Sequence, residues 1–340
     1  MTAVMQTIEN QQIWDEFVTS HPEANFLHSW QWGEFHKSRG RTILRRGVYD
    51  NDELVGVYTG HIEPAKRGKH LQVVGGPIIS WDNSPAVSAL FDDIKLQATN
   101  HNCVYARIRP QLEQSPEATK QFLSLGLQKA PMYLSVELAG ILDITKPEEE
   151  ILKGMRQRLR RALRKAEKND ISVETTTNPA AMKEFYRIQL ETAGRHQFIP
   201  FTEDFLYKQF EAFAKSDSAV LYTAKYEGKI LAQNFMLFYG NEASYHYGVS
   251  TELGTRMSGA PLLHMQAMRD ARERGIGRYN FWGIVDEDDT KHRFYGVSVF
   301  KRGFGVEELR YLPAHDMVIK KAAYLKTYAI ETVRRKFRKV

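Results

Sequence analysis

The stretch Tyr279-Asn-Phe-Trp-Gly-Ile284, the acidic loop Asp286–Asp289 and Gly296-Val-Ser-Val-Phe-Lys-Arg-Gly-Phe-Gly305 decide the reading of this chain. Tyr279–Ile284 is a strand by its aromatic and β-branched content. Val297, Val299 and Phe300 read as a second apolar strand that delivers Lys301 to a Gly303/Gly305 turn. By itself, Lys301 reads as a lysine leaving a sheet edge for solvent, since lysines are rarely buried. Just upstream lies an aromatic strand, Ala243-Ser-Tyr-His-Tyr-Gly-Val249, then a loop containing Arg256-Met-Ser-Gly-Ala260. The run after it is helical, because Leu263, Ala267 and Ala271 share one face. Arg272 and Arg274 occupy its last turn and Gly275 stops it.

Working outward, the two halves of the chain share one layout. Ile13–Ser20 reads as a helix with Trp14 and Phe17 inward, matched by Ala181–Gln189 with Met182 and Phe185. Trp30–Lys37 is matched by Phe205–Lys215. A hairpin follows each: Leu44–Tyr49 and Leu54–Ile62 around Asp50-Asn-Asp52, and Ala219–Tyr226 and Ile230–Tyr239 around Glu227-Gly-Lys229. Helices opened by proline, Pro85–Asn100 and Pro261–Gly275, then lead to the strands Val104–Ile108 and Tyr279–Ile284. Gln31 and Leu206, Leu54 and Ile230, Pro85 and Pro261, and Tyr105 and Asn280 all share an offset of about 175 residues. A constant offset across four elements implies a tandem duplication, with a period far too long for a solenoid. The order of elements resembles the GCN5-related acyltransferase (GNAT) fold.

The 340 residues suffice for two domains with buried cores. One cysteine, Cys103, excludes an internal disulfide framework and multi-cysteine metal sites. Met1–Gln12 does not read as a signal peptide, and no run approaches a membrane span, so a soluble cytoplasmic protein is expected. The net charge of +6 invites an anionic partner.

Two segments concentrate that charge. Thr145-Lys-Pro-Glu148 reads as a capping box opening a helix striped by Ile151, Met155, Leu159, Leu163 and Ala166. Lys153, Arg156, Arg158, Arg160, Arg161, Arg164, Lys165 and Lys168 cover the rest of it, against Glu167 alone. The run reads either as a solvated face or, since like charges at these spacings repel, as a site for an anionic ligand, and the second is expected. Ile319–Val340 reads as a second basic amphipathic helix, with Ala322, Leu325, Ala329, Ile330, Val333 and Phe337 on one side; such a helix docks on its own protein, on RNA or on anionic lipid, and docking on the protein is expected here. Its last six residues are left for phosphate contact.

The catalytic vocabulary is sparse: there is no Gly-x-Ser-x-Gly, P-loop or zinc motif. His246, His264 and His292 read as structural, and Asp286–Asp289 as a solvated turn. Arg256-x-x-Gly259-Ala260 resembles the pyrophosphate loop of acetyl-CoA enzymes, with Pro261 removing a backbone donor.

Tyr247-Gly-Val-Ser250, Ala271-Arg-Glu-Arg-Gly275, Tyr279–Ile284 and Val299-Phe-Lys-Arg-Gly-Phe-Gly305 together resemble the Fem family of tRNA-dependent aminoacyltransferases of peptidoglycan bridge formation. Phe26-Leu-His-Ser-Trp-Gln-Trp32, Gly75-Gly-Pro-Ile78 and Leu152–Lys168 extend the similarity over nearly the whole chain. The resemblance implies two tandem GNAT-like domains in the compact FemX-type build, without a coiled-coil arm. The boundaries expected are 1–143 and 144–311, with a C-terminal helix in 312–340 returning to the first domain. It implies transfer of Gly, Ala or Ser from aminoacyl-tRNA to the stem-peptide amine of lipid II or UDP-MurNAc-pentapeptide, with no cofactor and with peripheral contact at the inner membrane face. By this similarity Lys301 and Phe300 are catalytic. Lys37, Trp32, Tyr247, Arg195 and Arg256 contact substrate, and Arg156, Arg160, Arg161, Arg164, Lys165 and Lys168 bind tRNA. The family's Asp-Pro is Arg109-Pro110 here. Its Arg-x-x-x-Tyr pair is not matched, and Phe201, Phe205, Arg187 and Tyr207 lie near its place. Two other functions fit the residues: an acyl-CoA-dependent N-acyltransferase, and a non-enzymic module binding RNA or a membrane surface.

Overall fold

The protein is described by a computed structural model covering residues 3–196 and 199–338, exclusive of the side chains of 195, 196 and 336–338. The chain begins β1 (Val4–Thr7), α1 (Gln11–Thr19), α2 (Trp30–Ser38), β2 (Ile43–Asp50), β3 (Glu53–Glu63), β4 (His70–Val74), β5 (Ile78–Ile79), α3 (Ser84–Asn100), β6 (Tyr105–Arg109), α4 (Pro116–Ser124) and β7 (Gln128–Lys129). It continues β8 (Leu138–Asp143), α5 (Glu148–Gly154), α6 (Gln157–Lys168), β9 (Ser172–Thr176), α7 (Met182–His196), α8 (Glu203–Ala214), β10 (Ala219–Tyr226), β11 (Lys229–Tyr239) and β12 (Glu242–Ser250). Last come α9 (Glu252–Met257), α10 (Gly259–Glu273), β13 (Arg278–Gly283), α11 (Tyr295–Arg302), β14 (Glu307–Arg310), β15 (His315–Val318) and α12 (Lys321–Arg338).

Two compact units result, Met1–Glu137 with Arg310–Val340, and Leu138–Leu309. In the first, the sheet order is β1-β2-β3-β4-β6-β15-β7, with β5 added to β3. In the second it is β14-β8-β13-β12-β11-β10-β9. Reversed, the second order superimposes on the first strand for strand. Each has one internal parallel pair, β4 with β6 and β12 with β13. The duplication read from the sequence is therefore a duplication of topology. The sixth strand of each sheet comes from the segment following the other copy: β15 pairs with β6, and β8 pairs with β13. This places the division at Glu137/Leu138 and Leu309/Arg310, where the sequence reading had placed it at 143/144 and 311/312. A six-residue strand that follows one copy and hydrogen-bonds the other carries no local signal of its allegiance.

Local chemistry sets the helix starts. Asn10 accepts from the backbone of Gln12 and Ile13, Ser29 from Trp32 and Thr202 from Phe205. Both predicted hairpin turns form, with Asn51, Asp52, Glu227 and Gly228 in the left-handed region that primed turns require. The cores are separate. One lies around Leu90, Phe91, Ile108 and Phe122, the other around Leu231, Met236, Leu263, Ala267 and Phe281.

Four local readings are corrected. Thr145 does not cap a helix: its backbone N–H and hydroxyl both donate to Asp143, and Pro147 caps α5 without a side-chain bond. The basic segment is two helices, broken at Met155-Arg156, because Met155 leaves the helical region at ψ 148°. In α1 the inward partner of Trp14 is Val18, and Phe17 is half-buried. Val297–Phe300 is helical, within α11. A further difference concerns α12. Its buried positions are Tyr324, Thr327 and Glu331, and the predicted docking residues Leu325, Ile330 and Val333 are exposed. The predicted roles of Phe337 and of the basic tail 335–340 lie largely outside the described residues.

Candidate active site

The second unit places its chemistry where two strands part. β12 and β13 pair in parallel at Glu242–Ser244 with Arg278–Asn280. Both strands are irregular just beyond. On β12 the register with β11 slips so that Met236 faces Tyr245 and Phe235 faces Tyr247, leaving His246 as the extra residue of a bulge. On β13 the register with β8 slips between Asn280 and Gly283, and Trp282 holds φ +63°, rare for a bulky residue. Its N–H is taken by Asn280 Oδ1 at 2.8 Å.

Lys301 enters this parting from α11. Its Nζ donates to the Gly283 carbonyl at 2.7 Å and lies 5.4 Å from the centroid of the Tyr245 ring. The side chain is buried, with 6 % exposure. Burial alone pulls its pKa down from 10.5 to about 7, and no carboxylate contributes. The solvent-leaving lysine read from the sequence is thus corrected. A strand would alternate Val297, Val299 and Lys301 on one face. The helix instead turns Ser298, Lys301 and Arg302 inward and leaves Val297 and Val299 exposed. The signal was available as polar residues spaced i, i+3, i+4.

An aromatic cluster centred on His264 adjoins the Tyr245 ring beneath the amine. His264 packs against Tyr245, Phe281, Phe300 and Phe304 at centroid distances of 4.5–5.6 Å. Its Nδ1 is 2.8 Å from the Tyr279 hydroxyl. Burial, and secondarily the Lys301 charge, lower its pKa to about 3, so the imidazole is neutral. Phe300 is half-buried, with its ring against His264 and Phe304.

Arg302 is a participant that sequence reasoning missed. Its Nη2 donates to the Val285 carbonyl at 2.7 Å and its Nε pairs with Glu308 at 2.5 Å, with Glu287 at 3.6 Å. Consecutive basic side chains therefore donate to two carbonyls of one strand exit, Gly283 and Val285. The acidic loop is exposed apart from this contact and one made by Asp286.

The basic helix α6 begins against this site. The Arg156 N–H donates to the Gly303 carbonyl at 2.8 Å, and Gly303 packs near Leu159. Gly305, at φ +80°, passes so close to Gly154 that a Cβ would lie 2.7 Å from its carbonyl oxygen. Arg160 is half-buried and uses its Nη1 internally, 2.8–3.2 Å from the carbonyls of Leu152, Lys153 and Met155 at the end of α5. Arg156, Arg161, Arg164, Lys165 and Lys168 are exposed.

The remaining predicted residues are dispersed. Tyr247 is half-buried two positions along β12 from Tyr245, against His246 and Phe201, and Phe201 stacks on Phe205. Arg256 is exposed at the end of α9. Arg195 lies in α7, its side chain outside the described residues. Lys37 and Trp32 belong to the first unit, on α2: Lys37 is exposed, and Trp32 is half-buried against Phe26, Phe35 and His36. Pro261 occupies the first turn of α10, which starts at Gly259 after the left-handed Ser258. Arg109 is buried beneath Tyr311 and bound to Gln111 and the Val136 carbonyl. No group of three or more potential metal ligands occurs among the described residues.

Comparison with known proteins matches two family descriptions. Residues 10–129 match the FemAB family and residues 153–301 an acetyltransferase (GNAT) domain. A lipid II:glycine glycyltransferase of Staphylococcus epidermidis is 24 % identical, over 93 % of both chains. The enzyme of the same description from Staphylococcus aureus strain USA300 is 22 % identical, over 91 % of this chain and 92 % of that one. Among solved structures, FemX aligns with a TM-score of 0.86 at 21 % identity, covering 96 % of this chain and all of that one. The fold is accordingly a tandem pair of GNAT-like domains.

Proposed function

We propose, from its membership of the FemAB family, that this chain transfers an aminoacyl group, glycyl first among the candidates, from an aminoacyl-tRNA ester to the stem-peptide amine of a peptidoglycan precursor. The observation that carries the reading is Lys301: a buried amine, half neutral near neutral pH, at the parting of the two parallel strands. Aminolysis of an ester needs a group that accepts a proton from the attacking nitrogen and returns it to the leaving oxygen. Neutral Lys301 does the first. The attacking amine bonds to the ester carbon, and its surplus proton passes to Nζ. The resulting ammonium faces the charge developing on the carbonyl oxygen. As the carbon–oxygen bond to the tRNA ribose breaks, the proton moves to that ribose oxygen. Amide and free tRNA hydroxyl leave, and Lys301 is neutral again.

The tRNA donor is supported by charge. The exposed cations of α6 lie on the helix whose first residues bond the Gly303 turn, two residues from Lys301. Helix cations of this density bind a phosphate backbone without reading sequence. For the acceptor, the relatives named lipid II:glycine glycyltransferase favour the lipid-linked precursor over the UDP-linked one. In the second unit, Tyr247 and Arg256 are the proposed substrate contacts; Lys37 and Trp32 are proposed separately for the first unit, Lys37 for phosphate. No cofactor is required, because the ester is already activated. Against an acyl-CoA donor, Pro261 withholds an N–H from the helix N-terminus that would hold a pyrophosphate.

The test is direct transfer. Purified protein is given tRNA charged with radiolabelled Gly, Ala or Ser, with lipid II or UDP-MurNAc-pentapeptide as acceptor. Label on lipid II from glycyl-tRNA is the expected result. Label on neither precursor, with acetyl-CoA consumed in parallel, refutes the reading.

A further inference from the structure

The polarity of α12 is reversed relative to a helix packed on a water-soluble protein. Its inner face is polar. The Tyr324 hydroxyl donates to Asp316 at 2.8 Å and accepts from Gln128 at 3.0 Å. The Thr327 hydroxyl donates to the Arg67 carbonyl, and Glu331 accepts from Arg67 at 2.6 Å and Arg107 at 2.8 Å. These three residues are its buried positions among the described side chains. Ala322, Leu325, Ala329 and Val333, spaced i, i+3, i+7, i+11, form one stripe on the opposite side. Leu325 is 69 % exposed and Val333 51 %, with Tyr328 at 40 % and Ile330 at 37 % on the flanks. An ordinary surface helix puts its apolar stripe toward the core and its charges outward.

The frame around the stripe is cationic. Lys326 borders the stripe and Lys321 flanks its N-terminal end, both exposed; Lys320, just before the helix, is bonded to Asn102, and Arg335 continues the inner line of Tyr324 and Glu331. Lys66 and Lys69 are exposed on the loop that α12 grips through Thr327. The one acid between residues 320 and 340, Glu331, is buried in the inner network. An apolar stripe bordered by lysine and tyrosine is the composition of a helix lying in a bilayer interface, its stripe in the acyl boundary and its cations among anionic headgroups. A nucleic acid would use the cations and leave the leucine and valine in water. A single helix stripe falls well short of the roughly 20–30 residues a side of a stable dimer interface.

We infer that the outer face of α12 is a membrane-docking surface that binds an anionic lipid bilayer, held rigidly to the first unit by the Tyr324, Thr327 and Glu331 contacts. This deepens the reading of a lipid-linked acceptor and stands on α12 alone. The docking brings the enzyme to the surface on which such an acceptor lies. No helix among the described residues is long and apolar enough to cross a membrane, so the contact is interfacial.

Flotation of the full chain with vesicles tests this. Wild-type protein should float with phosphatidylglycerol vesicles, about tenfold less with phosphatidylcholine, and less again at high salt. The double variant Leu325→Glu/Val333→Glu changes only outward positions. It should retain wild-type circular dichroism and Tm yet lose flotation about tenfold or more. A second variant, Lys321→Glu/Lys326→Glu, should lose the preference for phosphatidylglycerol. Wild-type protein that stays in the buffer with phosphatidylglycerol vesicles overturns the inference, as does a Leu325/Val333 variant that floats like wild type. A concentration-dependent dimer abolished by the Leu325/Val333 change reassigns the face to a second copy and equally overturns it. The vesicles contain no precursor, so failure of flotation and failure of aminoacyl transfer are separate results.

Discussion

Replacing Lys301 by methionine tests whether the amine is held uncharged. Methionine keeps the length of the side chain and removes the charge. The folded chain lowers the Lys301 pKa from 10.5 to about 7. At about 1.36 kcal/mol per pKa unit, placing a full charge there costs roughly 5 kcal/mol. A lysine with a folded pKa below its unfolded value binds its proton later in the folded state. Above about pH 10.5 both states are neutral and the lysine costs nothing. As pH falls toward about 7 only the unfolded chain gains the proton, and wild-type stability declines by about 1.4 kcal/mol per pH unit. Below about pH 7 both states are charged and the penalty is constant. Lys301→Met has no such group. Its unfolding free energy relative to wild type should therefore rise as pH is lowered from about 10 to about 7 and then level off. The lost bond to Gly283 adds a pH-independent offset of about 1 kcal/mol in the other direction. Urea unfolding of both proteins across that range, followed by circular dichroism, gives the slope. A difference that does not change with pH would refute the buried neutral amine. It would also remove the proton acceptor from the proposed mechanism. If the slope is found, transfer by wild type should rise through an inflection near pH 7, and Lys301→Met should be inactive at every pH.

Three other perturbations address the supports of the site. Arg161→Glu/Lys165→Glu/Lys168→Glu on α6 changes exposed residues only, so stability should stay within about 0.5 kcal/mol, while tRNA affinity falls about tenfold or more and its salt dependence becomes shallower by two to three counterions, roughly. Filter binding at several salt concentrations reads both. Gly305→Ala puts a Cβ at φ +80° and 2.7 Å from the Gly154 carbonyl oxygen. The strain costs about 1–2 kcal/mol and moves the turn that follows α11 away from the end of α5, so transfer should drop more than thermal stability does. Arg107→Leu strands the carboxylates of Asp316 and Glu331 in the first unit. Breaking a buried network of this kind costs about 3–5 kcal/mol, and limited proteolysis should then cut α12 first.

Much of this architecture is legible locally. Hairpin turns, capping residues and apolar periodicity are written within a few residues of where they act, so the elements and their repetition at about 175 residues could be read directly. The failures share one cause: they concern where an element goes, not what it is. β8 and β15 are short strands whose partners lie in the other copy. α11 alternates valines like a strand, yet Ser298, Lys301 and Arg302 find partners only when Gly283, Val285 and Glu308 are brought to them. Arg160 looks like its basic neighbours, yet its Nη1 is shared among three carbonyls at the end of α5. In α12 the apolar stripe was correctly located in the sequence and assigned to the wrong side, because burial there is decided by Arg67, Arg107, Asp316 and Gln128.

The sequence by itself determined the duplication, the order of helices and strands, the concentration of positive charge on two helices and the segment that carries the reactive lysine. These depend on spacing and composition, which act over one or two turns of chain. Tertiary structure alone decided that Lys301 is buried without a carboxylate, and therefore close to neutral at physiological pH, and that the apolar stripe of α12 faces outward. Desolvation and the satisfaction of buried polar groups are properties of the surroundings that folding assembles, and no residue carries them in its own identity.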